Sequence, residues 1–113
     1  MTARNTLTIA PPYAVESTLK RLGSILRTAR LRRNLTIENA AEKIGTGPRA
    51  VANAEKGKPS TGVAVYIALL WAYDLLDTFA AIADPALDTE GVALSDSRQR
   101  ARARKSSGLD NDF

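Results

Sequence analysis

The chain has 113 residues with no cysteine and no histidine, a length that suits one domain plus tails and a residue supply that excludes disulfides, thiolate metal sites and the usual general base, zinc ligand and pH switch. The net charge of +4 is segregated: residues 20–58 hold ten Lys/Arg against three Glu, residues 59–96 hold six acids and no Lys or Arg, and residues 98–105 hold five basic side chains and no acid. A basic region set apart from an acidic one suits a polyanionic partner as well as plain solvated charge, whereas scattered carboxylates with no base–nucleophile pair argue against an enzyme and call for no cofactor and no metal.

Residues 1–12 read as an arm. Thr6-Leu7-Thr8-Ile9 alternates as a short strand does, and Pro11-Pro12 stops any helix from running back beyond it. A domain over 13–84 follows. Its first helix spans about 14–33, with Val15, Leu19, Leu22, Leu26 and Ala29 at helical spacing, and ends at Asn34. Thr36 is an N-cap for a short second helix, Ile37 to Ile44, with Ala40, Ala41 and Ile44 inward. Gly45 then sits where a C-cap needs positive φ, and Pro48 where a first helical residue loses no hydrogen bond. The third helix runs from Pro48 to about Lys56 and is closed by Gly57.

Pro59 and Ser60 lead into two further helices, 61–74 and 75–83, whose apolar residues cover almost every face. Burial on more than one side is expected there, one side being a subunit interface; Trp71 and Tyr73 belong to that packing. The longest apolar run, Val63 to Tyr73, is too short for a membrane span of ~20 residues, and the N-terminal stretch lacks the layout of a signal peptide, so a cytoplasmic location is expected. Asp84-Pro85 stops the last regular helix. Residues 85–113 turn polar and basic, and disorder is expected beyond Ser95.

Two short helices joined through Gly45-Thr46-Gly47 form the helix-turn-helix plan. At 100° per residue the third helix turns Val51, Ala54 and Glu55 to one side and Arg49, Ala52, Asn53 and Lys56 to the other. Arg suits guanine O6 and N7 and Asn suits adenine N6 and N7 in the major groove, while Lys56 and Lys58 reach phosphates. With the turn residue Thr46, the expected DNA-facing set is Thr46, Pro48, Arg49, Asn53, Lys56 and Lys58. The inward Glu55 needs a partner, because an unpaired buried carboxylate is costly; Arg30, on the margin of the first helix's apolar face, is the expected one.

The stretch Leu35-Thr36-Ile37-Glu38-Asn39-Ala40-Ala41-Glu42-Lys43-Ile44-Gly45, followed by Val51, Ala54 and Glu55-Lys56-Gly57, resembles the phage-repressor/Cro type of helix-turn-helix, the XRE family, over about residues 20–83. The resemblance implies an all-α, five-helix lambda-repressor-like domain with a disordered C-terminal tail, a structural pair at Arg30 and Glu55, and base contacts from Pro48, Arg49 and Asn53. Ile37 and Pro48 stand where the family commonly has glutamines, which thins direct readout and leaves more to phosphate and shape contacts.

A looser resemblance, to HipB-like antitoxins of HipA-like kinase toxins, rests on Glu55-Lys56-Gly57-Lys58-Pro59-Ser60-Thr61 running into Tyr66 and Leu69-Leu70-Trp71. Ile82-Ala83-Asp84-Pro85, Gly91-Val92-Ala93-Leu94 and an Arg-rich tail complete it. It implies a homodimeric repressor on double-stranded operator DNA, with a HipA-like kinase toxin as partner. A stand-alone regulator without a toxin and a helical protein-binding adaptor are the alternatives. In the tail, Arg98, Arg100, Arg102, Arg104 and Lys105 suit phosphates or the minor groove or simple solvation, and Asp110-Asn111-Asp112-Phe113 suits a docking peptide or a solubilising end.

Overall fold

A computed structural model describes residues 5–82 and 84–110, the last four of these by their backbone alone. The start of the arm (1–4), Ala83 of the Ile82–Pro85 stop and residues 111–113 of the terminal peptide lie outside the described residues. The chain divides into two units, Met1–Asp77 and Thr78–Phe113, and every regular element among the described residues is helical.

In the first unit, α1 is a single turn, Thr6–Ile9. It replaces the strand suggested by alternation, because Asn5 Oδ1 accepts the Thr8 N–H and caps the turn locally. Helix α2, Tyr13–Arg32, starts at Pro12 and closes where Asn34 takes φ +54°. Helix α3 is Ile37–Ile44, opened by a reciprocal cap in which Thr36 Oγ1 accepts from the Asn39 N–H and Asn39 Oδ1 accepts from the Thr36 N–H. Gly45 ends it in the left-handed region (φ +78°), and α4, Pro48–Glu55, begins three residues later with proline in its first turn.

Helix α5 is Val63–Ala72. The expected fifth helix is a 3-10 segment, Leu76–Ala81. Asp74 takes φ +58° and the Leu75 N–H returns to the Leu70 carbonyl at 2.8 Å, so α5 is closed off before Leu76 and no continuous helix crosses the turn.

The core of this unit comprises Leu26 and Ala29 of α2, Ala40 and Ala41 of α3, Val51 and Ala54 of α4, and Tyr66, Leu69, Leu70 and Tyr73 at and after α5. Small residues on α3 and α4 let those helices approach, and the large side chains come from α2 and α5. The close passage of α2 over the end of α4 requires glycine twice. A Cβ on Gly23 would lie 2.5 Å from the Glu55 carbonyl oxygen, and one on Gly57, which also holds φ +67°, would lie 2.5 Å from that of Leu19.

In the second unit, a 3-10 turn over Pro85–Leu87 precedes α6, Thr89–Asp110. The segment expected to be disordered is therefore helical where it is described. Its low hydropathy foretells a lack of packing, and no described side chain of α6 is buried; Ala, Arg, Gln and Lys nevertheless favour the helical backbone without a core. No helix among the described residues is long and apolar enough to cross a membrane.

Candidate nucleic-acid interface

The α3–turn–α4 unit is held from inside. Val51 and Ala54 are fully buried, and the half-turn between them and the outer face leaves Pro48 and Arg49 exposed and Asn53 partly exposed. Thr46, in the turn, is partly buried, with its N–H held by the Ala41 carbonyl at 2.9 Å. Lys56 and Lys58 are exposed at the exit of α4. Ile37 is partly buried against the core; at the first position of α3 it can bring apolar packing and not a phosphate contact.

Glu55 turns away from this face. Its Oε2 accepts from Arg30 Nε at 2.6 Å and its Oε1 from Arg30 Nη2 at 3.0 Å, a two-pronged pair with both side chains less than a tenth exposed. Arg30 Nη1 also donates to the Leu35 carbonyl at 2.8 Å. The hydrogen bond to Glu55 pushes the Arg30 pKa above its ordinary value against the opposing effect of burial. One guanidinium thereby ties α2, the α2–α3 loop and α4 together and sets the rotation of α4 about its axis.

Two cations play parts that periodicity did not disclose. Arg33 donates to the Ala29 carbonyl at 2.9 Å and to the Tyr73 carbonyl at 2.7 Å, with its guanidinium carbon 5.5 Å from the Tyr73 ring centroid; it locks the end of α2 to the end of α5. Lys20 lines a cleft of about 390 Å³ with Lys56 and Lys58, between Gly57 and the arm residues Thr8–Pro11. Its sequence signal was only an i,i+4 relation to Glu16, with which it pairs at 2.9 Å. Three lysines and the Glu16 carboxylate line the cleft, which keeps a net positive charge beside the exit of the recognition-helix candidate, a place where a sugar–phosphate backbone is electrostatically favoured.

The five tail cations, Arg98, Arg100, Arg102, Arg104 and Lys105, are all exposed along α6. They belong to the second unit and do not join the α4 group within one unit. Among the described residues there is no group of three or more acidic side chains placed to hold a metal.

Residues 26–75 match a family model described as helix-turn-helix. The matched span takes in the last third of α2, all of α3, α4 and α5, and the closing turn at Asp74. No curated protein and no solved structure matches the chain.

Proposed function

Taking residues 26–75 as a helix-turn-helix DNA-binding domain of the XRE type, we propose that this chain is a sequence-specific transcriptional repressor that reads duplex DNA through α4. The observation that carries the reading is the orientation of that helix. Its one acid is turned inward onto Arg30, and the side open to solvent offers Arg49 and Asn53, one turn apart, with Lys56 and Lys58 behind them. Arg49 addresses a guanine edge and Asn53 an adenine edge, Pro48 offers an apolar contact to a thymine methyl, and Thr46, Lys56 and Lys58 take phosphates.

A single α4 reads few bases, so the functional unit is a homodimer that places two copies in successive major grooves ~34 Å apart on a pseudo-palindromic site. Among the apolar side chains that the first unit leaves exposed on α2 and α5, Ile25, Leu31, Val63 and Trp71 supply surface for that association. The exit sequence from Glu55 to Thr61, the Tyr66–Trp71 helix and the Arg-rich end support a further role as the antitoxin of a type II pair. In that role the protein represses its own operon and restrains a HipA-like kinase toxin.

Titration of the purified chain against its own upstream DNA tests the reading. Affinity is expected to fall steeply with salt, and Arg49→Ala to lose sequence preference at a cost of ~1–3 kcal/mol. Binding indifferent to both salt and Arg49 points to the adaptor alternative. Co-purification with the product of the adjacent reading frame tests the toxin partnership separately.

A further inference from the structure

We infer that α6, between Arg98 and Lys105, is a second DNA-contacting element that grips backbone phosphates without reading sequence. The inference rests on the DNA-binding reading above and extends the contact surface to the second unit.

Five of the eight side chains from Arg98 to Lys105 are cationic, every one is exposed, and none has an ion-pair partner among the described residues. The nearest acids in sequence, Asp96 and Asp110, lie outside the run. A concentration of unneutralised charge on a formed helix raises its own electrostatic energy, and a polyanion relieves it.

The arrangement narrows the class of polyanion. At 100° per residue Arg98, Arg102 and Lys105 form one stripe and Arg100 and Arg104 lie on the opposite side. Within the run the only apolar residues are Ala101 and Ala103, so there is no apolar stripe for a protein groove and none to enter a lipid surface. A helix ~10–12 Å across, charged on two opposite sides, fits a major groove ~12 Å wide with phosphates on both walls. The charged run is about 10 Å long, two helical turns. Attachment to a duplex-reading domain keeps α6 at high effective concentration beside the same DNA, which favours duplex over free RNA or acidic peptides.

The test compares the full-length protein with a variant carrying Arg98→Gln, Arg100→Gln, Arg102→Gln, Arg104→Gln and Lys105→Gln. Glutamine keeps helix propensity, and no buried residue is touched. Dissociation constants are measured across a salt series on the chain's own upstream DNA and on a random duplex of equal length. The expected result is a log K against log salt slope shallower by about 0.9 per lost phosphate contact, with affinity for both duplexes weakened by a common factor of about ten or more at near-physiological salt. The ratio between the two duplexes should stay unchanged.

A variant that binds both duplexes as the parent does overturns the inference alone. A parent protein that ignores every duplex overturns the DNA-binding reading and this inference with it.

Discussion

Arg30 and Glu55, 25 residues apart in the chain, close the only buried ion pair among the described residues, and the pair fixes which side of α4 faces outward. Its net worth is smaller than its geometry suggests, because both groups give up their hydration to form it. Removing one partner is another matter, since it strands the other charge. Arg30→Met is expected to cost about 3–5 kcal/mol in urea unfolding, whereas Arg30→Met with Glu55→Leu should recover most of that loss. A single variant as stable as the parent would show that water reaches the pair.

The rotation set by that pair depends on how closely α2 passes α4. Gly23→Ala places a methyl 2.5 Å from the Glu55 carbonyl oxygen and 2.6 Å from that of Ala54. Both are backbone atoms of α4, so no side chain can swing aside. The expected cost is about 1–3 kcal/mol by thermal or urea unfolding. Gly47→Ala is the control: φ is −80° and nothing lies within 4 Å of the added methyl, so only the poorer N-capping of alanine should be felt, a smaller loss of about 0.5 kcal/mol. Equal destabilisation at both sites would mean that α2 does not press on α4 as described.

Short-range chemistry made much of this legible in the sequence. Thr36, Gly45 and Pro48 each act within four residues, and the bounds of α3 and the start of α4 follow from them. Periodicity placed Val51, Ala54 and Glu55 on one side, where burial finds them. What escaped depends mostly on contacts distant in the chain. Arg33 reaches a carbonyl 40 residues away, and Lys20 shares a cleft with Lys56 and Lys58 because Gly57 seats the α4 exit on α2. The break expected between 74 and 75 falls at Asp74, a residue type that takes positive φ more readily than most, but nothing in the residues announced the 3-10 form of the segment that follows. The tail misled for a different reason: composition speaks to burial, and α6 is a helix that buries nothing.

The two core tyrosines should respond oppositely to loss of the hydroxyl. Tyr66 Oη donates to the Lys58 carbonyl at 3.3 Å, so Tyr66→Phe is expected to cost about 0.5–1.5 kcal/mol. Tyr73 is fully buried, and its Oη finds no hydrogen-bond partner among the described residues. Tyr73→Phe removes an unsatisfied polar atom while keeping the ring that Arg33 covers, so stability should rise by about 1 kcal/mol.

Alkaline titration is an independent readout of the same two rings. Burial is the main cause raising both phenol pKa values above the ordinary value of about 10. The fold favours the neutral phenol, so this stabilisation is fully present below pH ~10 and is lost as pH climbs from there through the higher folded-state values. The midpoint of chemical unfolding should fall above pH ~10, and less steeply in Tyr73→Phe. A parent protein whose stability stays flat over that interval would show both phenols to be solvated.

Lys20 and Arg49 separate phosphate contact from base reading within the first unit. Lys20 is largely exposed and, among the described residues, forms its ion pair with Glu16 on its own helix, a pairing that contributes little to stability. Lys20→Gln should therefore leave the unfolding midpoint in place. Because Lys20 shares a cleft with Lys56 and Lys58, the same change should weaken binding to every duplex by a similar factor and reduce the salt slope by about one unit. Arg49→Ala should instead reduce the gap between preferred and random DNA and alter the salt slope less, since a guanine contact releases no phosphate counterion. If Lys20→Gln changes preference, or if the two variants weaken all duplexes alike, then the cleft and the outer face of α4 are not divided between backbone and bases.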